Sequence, residues 1–213
     1  MNTAADPAAE GSAASRPSSY HHGALPQALL SAVGEVLAEG GADAFSLRAV
    51  ARRAGVSHAA PAHHFGDARG LLTAYAAQSF AALTQALQAA AAVQTEPVAR
   101  LKALGAAYVG FALAHPARYQ LMFRSARIDA QEPALREASQ AAFAQLAQAV
   151  AALSGRAQAL DARDPQVLLA WSAVHGFAML VLERQLDSLR GEAWATQLGA
   201  MLDALAPAWA AAR

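Results

Sequence analysis

Beyond its first twenty residues, this chain places apolar residues three and four apart almost throughout, the period of helix faces turned to a core. The spacing predicts a first helix from about Ala24 to Glu39, with Leu29, Val33, Val36 and Leu37 as its apolar stripe. Pro26 stands in its first turn, where a missing N–H costs little, and Gly40-Gly41 stops it. A short helix follows Ser46, a good N-cap, and carries Leu47, Val50, Ala51 and Ala54 until Gly55 ends it. Ser57 is expected to cap a third short helix, His58 to His64, broken by Phe65-Gly66-Asp67. A long helix then spans about Ala68 to Val93, with Leu72, Tyr75, Leu83 and Leu87 at helical spacing. Further helices are expected over about 97–114, briefly after Pro116, and over about 133–153, 165–188 and 192–211. Pro97, Pro116, Pro133 and Pro165 each stand near a first turn.

Strand-like alternation never persists, so the expected fold class is all-α. Residues 1–19, rich in Ala, Ser and Pro, read as a flexible tail. Residues 20–72 read as a three-helix head and 73–213 as a helical body, joined through the long fourth helix without a linker.

Composition narrows the class further. Of 213 residues, 55% are hydrophobic and 15% charged, which suits a globular chain with a substantial core. The absence of cysteine excludes disulfides, thiol nucleophiles and cysteine-based metal sites. The start of the chain lacks the basic and apolar stretches of a signal peptide. The longest apolar run, Val167 to Leu182, is short for a membrane span and holds Ser172 and His175, so a cytoplasmic protein is expected. The net charge is zero, but residues 44–72 set Arg48, Arg52, Arg53 and Arg69 against Asp67 alone. Five histidines lie between 21 and 64 and add to that local basic character when protonated.

The stretch Ser46-Leu47-Arg48-Ala49-Val50-Ala51-Arg52-Arg53-Ala54-Gly55-Val56-Ser57 meets the requirements of a helix-turn-helix. Ala51 is small enough for two helices to cross closely, and Gly55 tolerates the positive φ of a tight turn. Val50, Ala54 and Val56 are expected to face inward and lock the next helix, whose outer side is then free for a major groove. A surface αα-hairpin without a DNA role has the same spacing.

Residues 20 to 80, from Tyr20-His21-His22-Gly23 through Val56-Ser57-His58-Ala59-Ala60-Pro61 and His64-Phe65 to Leu71-Leu72, resemble the N-terminal domain of the TetR (tetracycline-repressor) family. The segments His115-Pro116-Ala117-Arg118-Tyr119-Gln120-Leu121-Met122-Phe123 and Trp171-Ser172-Ala173-Val174-His175-Gly176 resemble a C-terminal domain type of that family named for its Trp, His and Gly. The resemblance implies a homodimeric regulator, generally a repressor, that binds a double-stranded DNA operator and releases it when a small-molecule effector enters the body. Carried over by position, it implies DNA-facing roles for Tyr20 and His22 of an N-terminal arm, Ser46 and Arg48 at the second helix, and Ser57, His58, Ala59, His63 and His64 around the third. His58, Ala59 and His63 are placed for base edges; Arg48, Ser57 and His64 suit phosphates. Two departures thin the phosphate anchoring: the family often has Tyr at the place of Ala62 and Lys at the place of Ala68. A helical small-molecule-binding or interaction protein with weakened DNA binding is the alternative these departures leave open.

In the body, Tyr108, Phe111, Tyr119, Phe123, Phe143, Trp171 and His175 are the candidates for a ligand cavity, although such residues also make ordinary helix cores. The helix carrying Val167 to Leu182 is apolar around most of its circumference and must be buried on more than one side. That pattern fits either a central core helix or a subunit interface. The resemblance implies the interface, with Trp171 and Val174 of the face Val167, Trp171, Val174, Ala178 and Val181 in the seam and Trp194, Leu198, Met201, Leu202 and Leu205 of the last helix joining it. No two histidines, and no histidine with an acidic residue, stand at i, i+4 ligand spacing in the body, so neither metal nor cofactor is expected. Ser172 and His175 are the nearest approach to a nucleophile–base pair, and a buried polar pair is the simpler account, so no enzymatic activity is expected.

Overall fold

A computed structural model describes residues 24–124, 126–156, 160–186 and 193–210. The proposed tail and the Tyr20–His22 arm lie outside the described residues. Among those described, the chain is helical, with α1 Ala24–Gly40, α2 Leu47–Ala54, α3 Ala60–Phe65, α4 Ala68–Ala92, α5 Pro97–Ala114, α6 Pro116–Arg124, α7 Pro133–Leu153, α8 Pro165–Leu182 and α9 Ala193–Ala210. A 3-10 turn, Ala42–Ala44, joins α1 to α2.

The head forms around the stripe seen in the sequence. Leu29, Val33, Val36 and Leu37 of α1 are buried with Val50 and Ala51 of α2 and Leu71 and Leu72 of α4. Each fully buried Leu or Val contributes about 1.5–3 kcal/mol relative to exposure. Ser46 caps α2, its Oγ accepting from the Ala49 amide at 3.1 Å. Gly55 ends α2 in the left-handed region (φ 68°), and the Val56 amide reaches back to the Ala51 carbonyl at 3.0 Å. Asp67 caps α4 through its carboxylate, which accepts from the Gly70 amide at 2.8 Å.

The third helix departs from expectation. It begins at Ala60, not His58, and Ser57 offers its carbonyl to the Ala60 amide rather than capping with its side chain. The cause is Pro61, which has no N–H and fits only the first turn, so the helix starts immediately before it. His58 and Ala59 therefore lie on a turn.

The body packs α4 against α5 and α7, and α5 against α8 and α9. The short α6 touches both α1 and α4, so it lies between head and body. The face of α8 assigned to a subunit interface turns inward instead. Val167, Val174 and Ala178 are buried within the chain and Val181 is half-buried, while Trp171 keeps 38% of its surface exposed at the edge of a cavity. Leu168, Leu169, Ser172 and Leu180 occupy the outward side, Leu168 with 42% and Leu180 with 44% of their surface exposed. The reason is local: Ala170, Val174, Phe177 and Ala178 continue the buried rows against α5, α7 and α9, and a helix offers each neighbour only one stripe.

Helix α8 also stops six residues short of the expected 188. Arg184 takes the left-handed conformation (φ 57°), the Gln185 amide bonds the Leu180 carbonyl at 2.9 Å, and Arg184 bonds Val181 at 3.1 Å. This is a Schellman closure with arginine where glycine is usual, and so it leaves no glycine signal in the sequence.

Candidate nucleic-acid interface and body cavity

The outer surface of the head is built from α2, the 57–59 turn and α3. Ser57, His58, Ala59, Ala62, His63 and His64 are exposed there, while Pro61 is buried and Phe65 packs on the core. The His63 and His64 rings stand 5.3 Å apart, edge to face. Exposed Arg48 and Arg52 lie one turn apart on α2.

The four arginines counted in this region are not equivalent. Arg53 bonds Glu35 at 3.1 Å and makes two bonds to Glu39, one of them at 2.7 Å, so it staples α2 to α1. The hydrogen bond from Arg53 holds the Glu39 carboxyl below the usual carboxylate range, and the two glutamates raise Arg53 above its own. Arg69 reaches Asp129 at 3.7 Å and the Ile128 carbonyl at 3.3 Å. Arg48 and Arg52 stand exposed on this face with no ion pair among the described residues. In the sequence Arg52 counts toward the basic excess without being singled out, although its spacing of four from Arg48 places both on one side of α2.

A cavity of about 550 Å³ lies in the body between α4, α5, α7 and α8. Phe80, Leu83 and Leu87 of α4, Leu104 and Tyr108 of α5, and Phe143 of α7 are among its walls. Of the candidate residues, Tyr108, Phe123, Phe143 and Trp171 line it. Tyr119 and His175 stand behind Tyr108. The Tyr108 hydroxyl lies 2.8 Å from His175 Nδ1 and 3.1 Å from the Tyr119 hydroxyl, and Tyr119 is itself 2.8 Å from the same Nδ1. Burial drives the Tyr108 phenol far above its usual range, so it stays protonated. Phe111 is buried away from the cavity wall, its ring 5.1 Å from that of His115. His175 is thus engaged with two tyrosines, while Ser172 sits on the outward side of α8.

Two family models match this chain. Residues 29–75, which include α2, α3 and their turn, match the bacterial regulatory proteins of the tetR family. Residues 101–205, from α5 into α9, match a tetracyclin repressor-like C-terminal domain. The chain belongs to the TetR family.

Solved structures carry the same architecture. A protein of unknown function from Rhodococcus sp. RHA1 is 34% identical, with 91% of this chain and 97% of that one covered and a TM-score of 0.70. A TetR-family regulator from Streptomyces coelicolor A3 is 25% identical over 88% and 96% of the two chains, with a TM-score of 0.54. The transcriptional regulator FadR from Bacillus subtilis, crystallised with stearoyl-CoA, shares the fold at 15% identity over 84% and 96%, with a TM-score of 0.62. No curated protein matches the chain. Within this TetR-family fold, the exposed α2–α3 surface belongs to the DNA-binding head, and the cavity lies in the C-terminal body.

Proposed function

We propose that this protein is a homodimeric repressor that binds a palindromic operator and releases it when a small molecule fills the body cavity. The observation carrying the proposal is the pairing, in one continuous fold, of an outward-facing α3 with a large apolar cavity, joined by α4 and α6. His58, Ala59 and His63 would face the groove, with Ser46, Arg48, Arg52, Ser57 and His64 at its phosphate edge. The arm residues Tyr20 and His22 are proposed to reach the adjacent backbone. Tyr108, Phe123, Phe143 and Trp171 would touch the effector directly, with Tyr119 and His175 supporting Tyr108.

A single short α3 reads few base pairs, so specificity calls for two copies on half-sites about one helical turn apart or a small multiple of it. The outward stripe of Leu168, Leu169, Ser172 and Leu180 is the proposed seam between copies on α8, with α9 beside it. Footprinting on DNA flanking the protein's own gene tests the reading and should protect an imperfect palindrome. Protection of one asymmetric half-site by a monomer would overturn it. Failure to bind any DNA would favour a helical small-molecule-binding protein instead.

A further inference from the structure

The cavity wall is unusual in what it lacks. Among the described residues lining it there is no Lys, Arg, His, Asp or Glu. Its side-chain polar groups are those of Ser139, Gln140, Tyr108 and Trp171. Two of these, Ser139 and Tyr108, are already engaged within the protein. The Ser139 hydroxyl donates to the Arg136 carbonyl at 2.9 Å. The Tyr108 hydroxyl is held behind the wall between the Tyr119 hydroxyl and His175 Nδ1. Gln140, exposed at the rim, remains for a ligand.

We propose that the ligand of this cavity is an electrically neutral, predominantly apolar molecule whose one polar group lies at the Gln140 rim. The inference rests on the reading of the body as an effector domain and specifies which chemistry that domain admits. An anionic group drawn below the rim would lose hydration with no cation in the wall to replace it, whereas a neutral polar group loses far less. A cation fares no better by charge pairing, because the wall holds no carboxylate and the Tyr108 phenol keeps its proton. Aromatic rings can attract cations through their faces, but here they meet one another edge to face. Phe80 and Phe123 do so at 5.4 Å and 75°, Phe143 and Trp171 at 5.6 Å and 74°. At about 30 Å³ per heavy atom, as in a liquid, 550 Å³ admits on the order of fifteen to twenty such atoms.

The test uses the full chain without DNA and three probes of matched length: dodecan-1-ol, dodecanoate and dodecylammonium. Each is titrated at pH 8 below its micellar range, with binding read by calorimetry and tryptophan fluorescence. The alcohol should bind at least tenfold more tightly than either ion. Equal or tighter binding of an ion, or no binding of the alcohol, would overturn the inference. Ala144→Lys, at a half-buried wall position, should shift the preference toward dodecanoate; Gln140→Lys, at the exposed rim, does the same without disturbing the interior. An unchanged preference in both folded variants would place the ligand elsewhere and count against the proposal. A protein that binds the alcohol yet holds its operator unchanged would uphold the ligand class and count against the ligand-responsive reading alone.

Discussion

Arg118 and Tyr119 are neighbours on α6 and face opposite partners. The Arg118 guanidinium lies 5.2 Å from the centre of the Tyr75 ring on α4, with its Nε buried and lacking a hydrogen-bond partner. Tyr119, buried on the other side, joins Tyr108 and His175 behind the cavity. A shift of Tyr108 on ligand entry would therefore be felt one residue from a contact with the helix that enters the head.

Replacing Arg118 by Leu should separate coupling from binding. The cation–π contact is worth about 0.5–2 kcal/mol, while the buried orphan Nε costs about 1–3, so thermal stability should hold or rise. Operator affinity without ligand should change less than twofold. The drop in affinity on adding dodecan-1-ol should shrink by about two- to thirtyfold, in line with coupling energies of about 0.5–2 kcal/mol. An undiminished drop would show that α6 does not carry the signal.

The same tyrosine constrains α1. A Cβ placed on Gly34 would stand 2.7 Å from the Tyr75 hydroxyl oxygen and 3.4 Å from the ring carbon bearing it. Gly34→Ala should cost about 1–3 kcal/mol by overpacking. Adding Tyr75→Phe removes the clashing atom, so the double variant should be more stable than the sum of the single changes predicts. Additive denaturation midpoints would mean that α1 moves aside instead.

Salt dependence distinguishes the arginines of the head. Arg48→Ala and Arg52→Ala should each lower the slope of log affinity against log salt by about one, as loss of one phosphate contact does. Arg53 is committed to Glu35 and Glu39, so Arg53→Ala should leave that slope unchanged. Equal slopes for all three variants would contradict this division of roles.

The two faces of α8 should respond differently to charge. Leu168→Glu or Leu180→Glu, on the outward stripe, should give a folded monomer with little operator binding. Val174→Glu, at a position 7% exposed inside the chain, should unfold the body. Analytical ultracentrifugation and circular dichroism check both outcomes, and a dimer retained by both outward variants would move the interface elsewhere.

Most helix boundaries were legible because local chemistry sets them. Ser46 and Gly55 delimit α2, and Pro97, Pro133 and Pro165 open α5, α7 and α8 where the sequence places them. Pro61 carried the information that places α3, because its missing N–H argues for a first-turn position, but the expected Ser57 cap set the start two residues too early. The end of α8 was not legible, since Arg184 holds a conformation that sequence associates with glycine. Arg48 as an exposed surface cation was readable; that Arg53 is consumed by α1 was not, because Glu35 and Glu39 lie eighteen and fourteen residues away.

By itself, the sequence determined the class of the fold, the helix-turn-helix and the family resemblance, all of which rest on periodicity and on residues acting within a few positions of one another. Tertiary structure alone decided which side of α8 is inside, which aromatic residues border a cavity and which pack behind it. Val174 and Leu168 are both apolar and differ by less than two turns, and nothing in their identity tells one face from the other. Only the positions of α5, α7 and α9 around the helix do, because burial depends on which neighbours arrive and not on the residue that receives them.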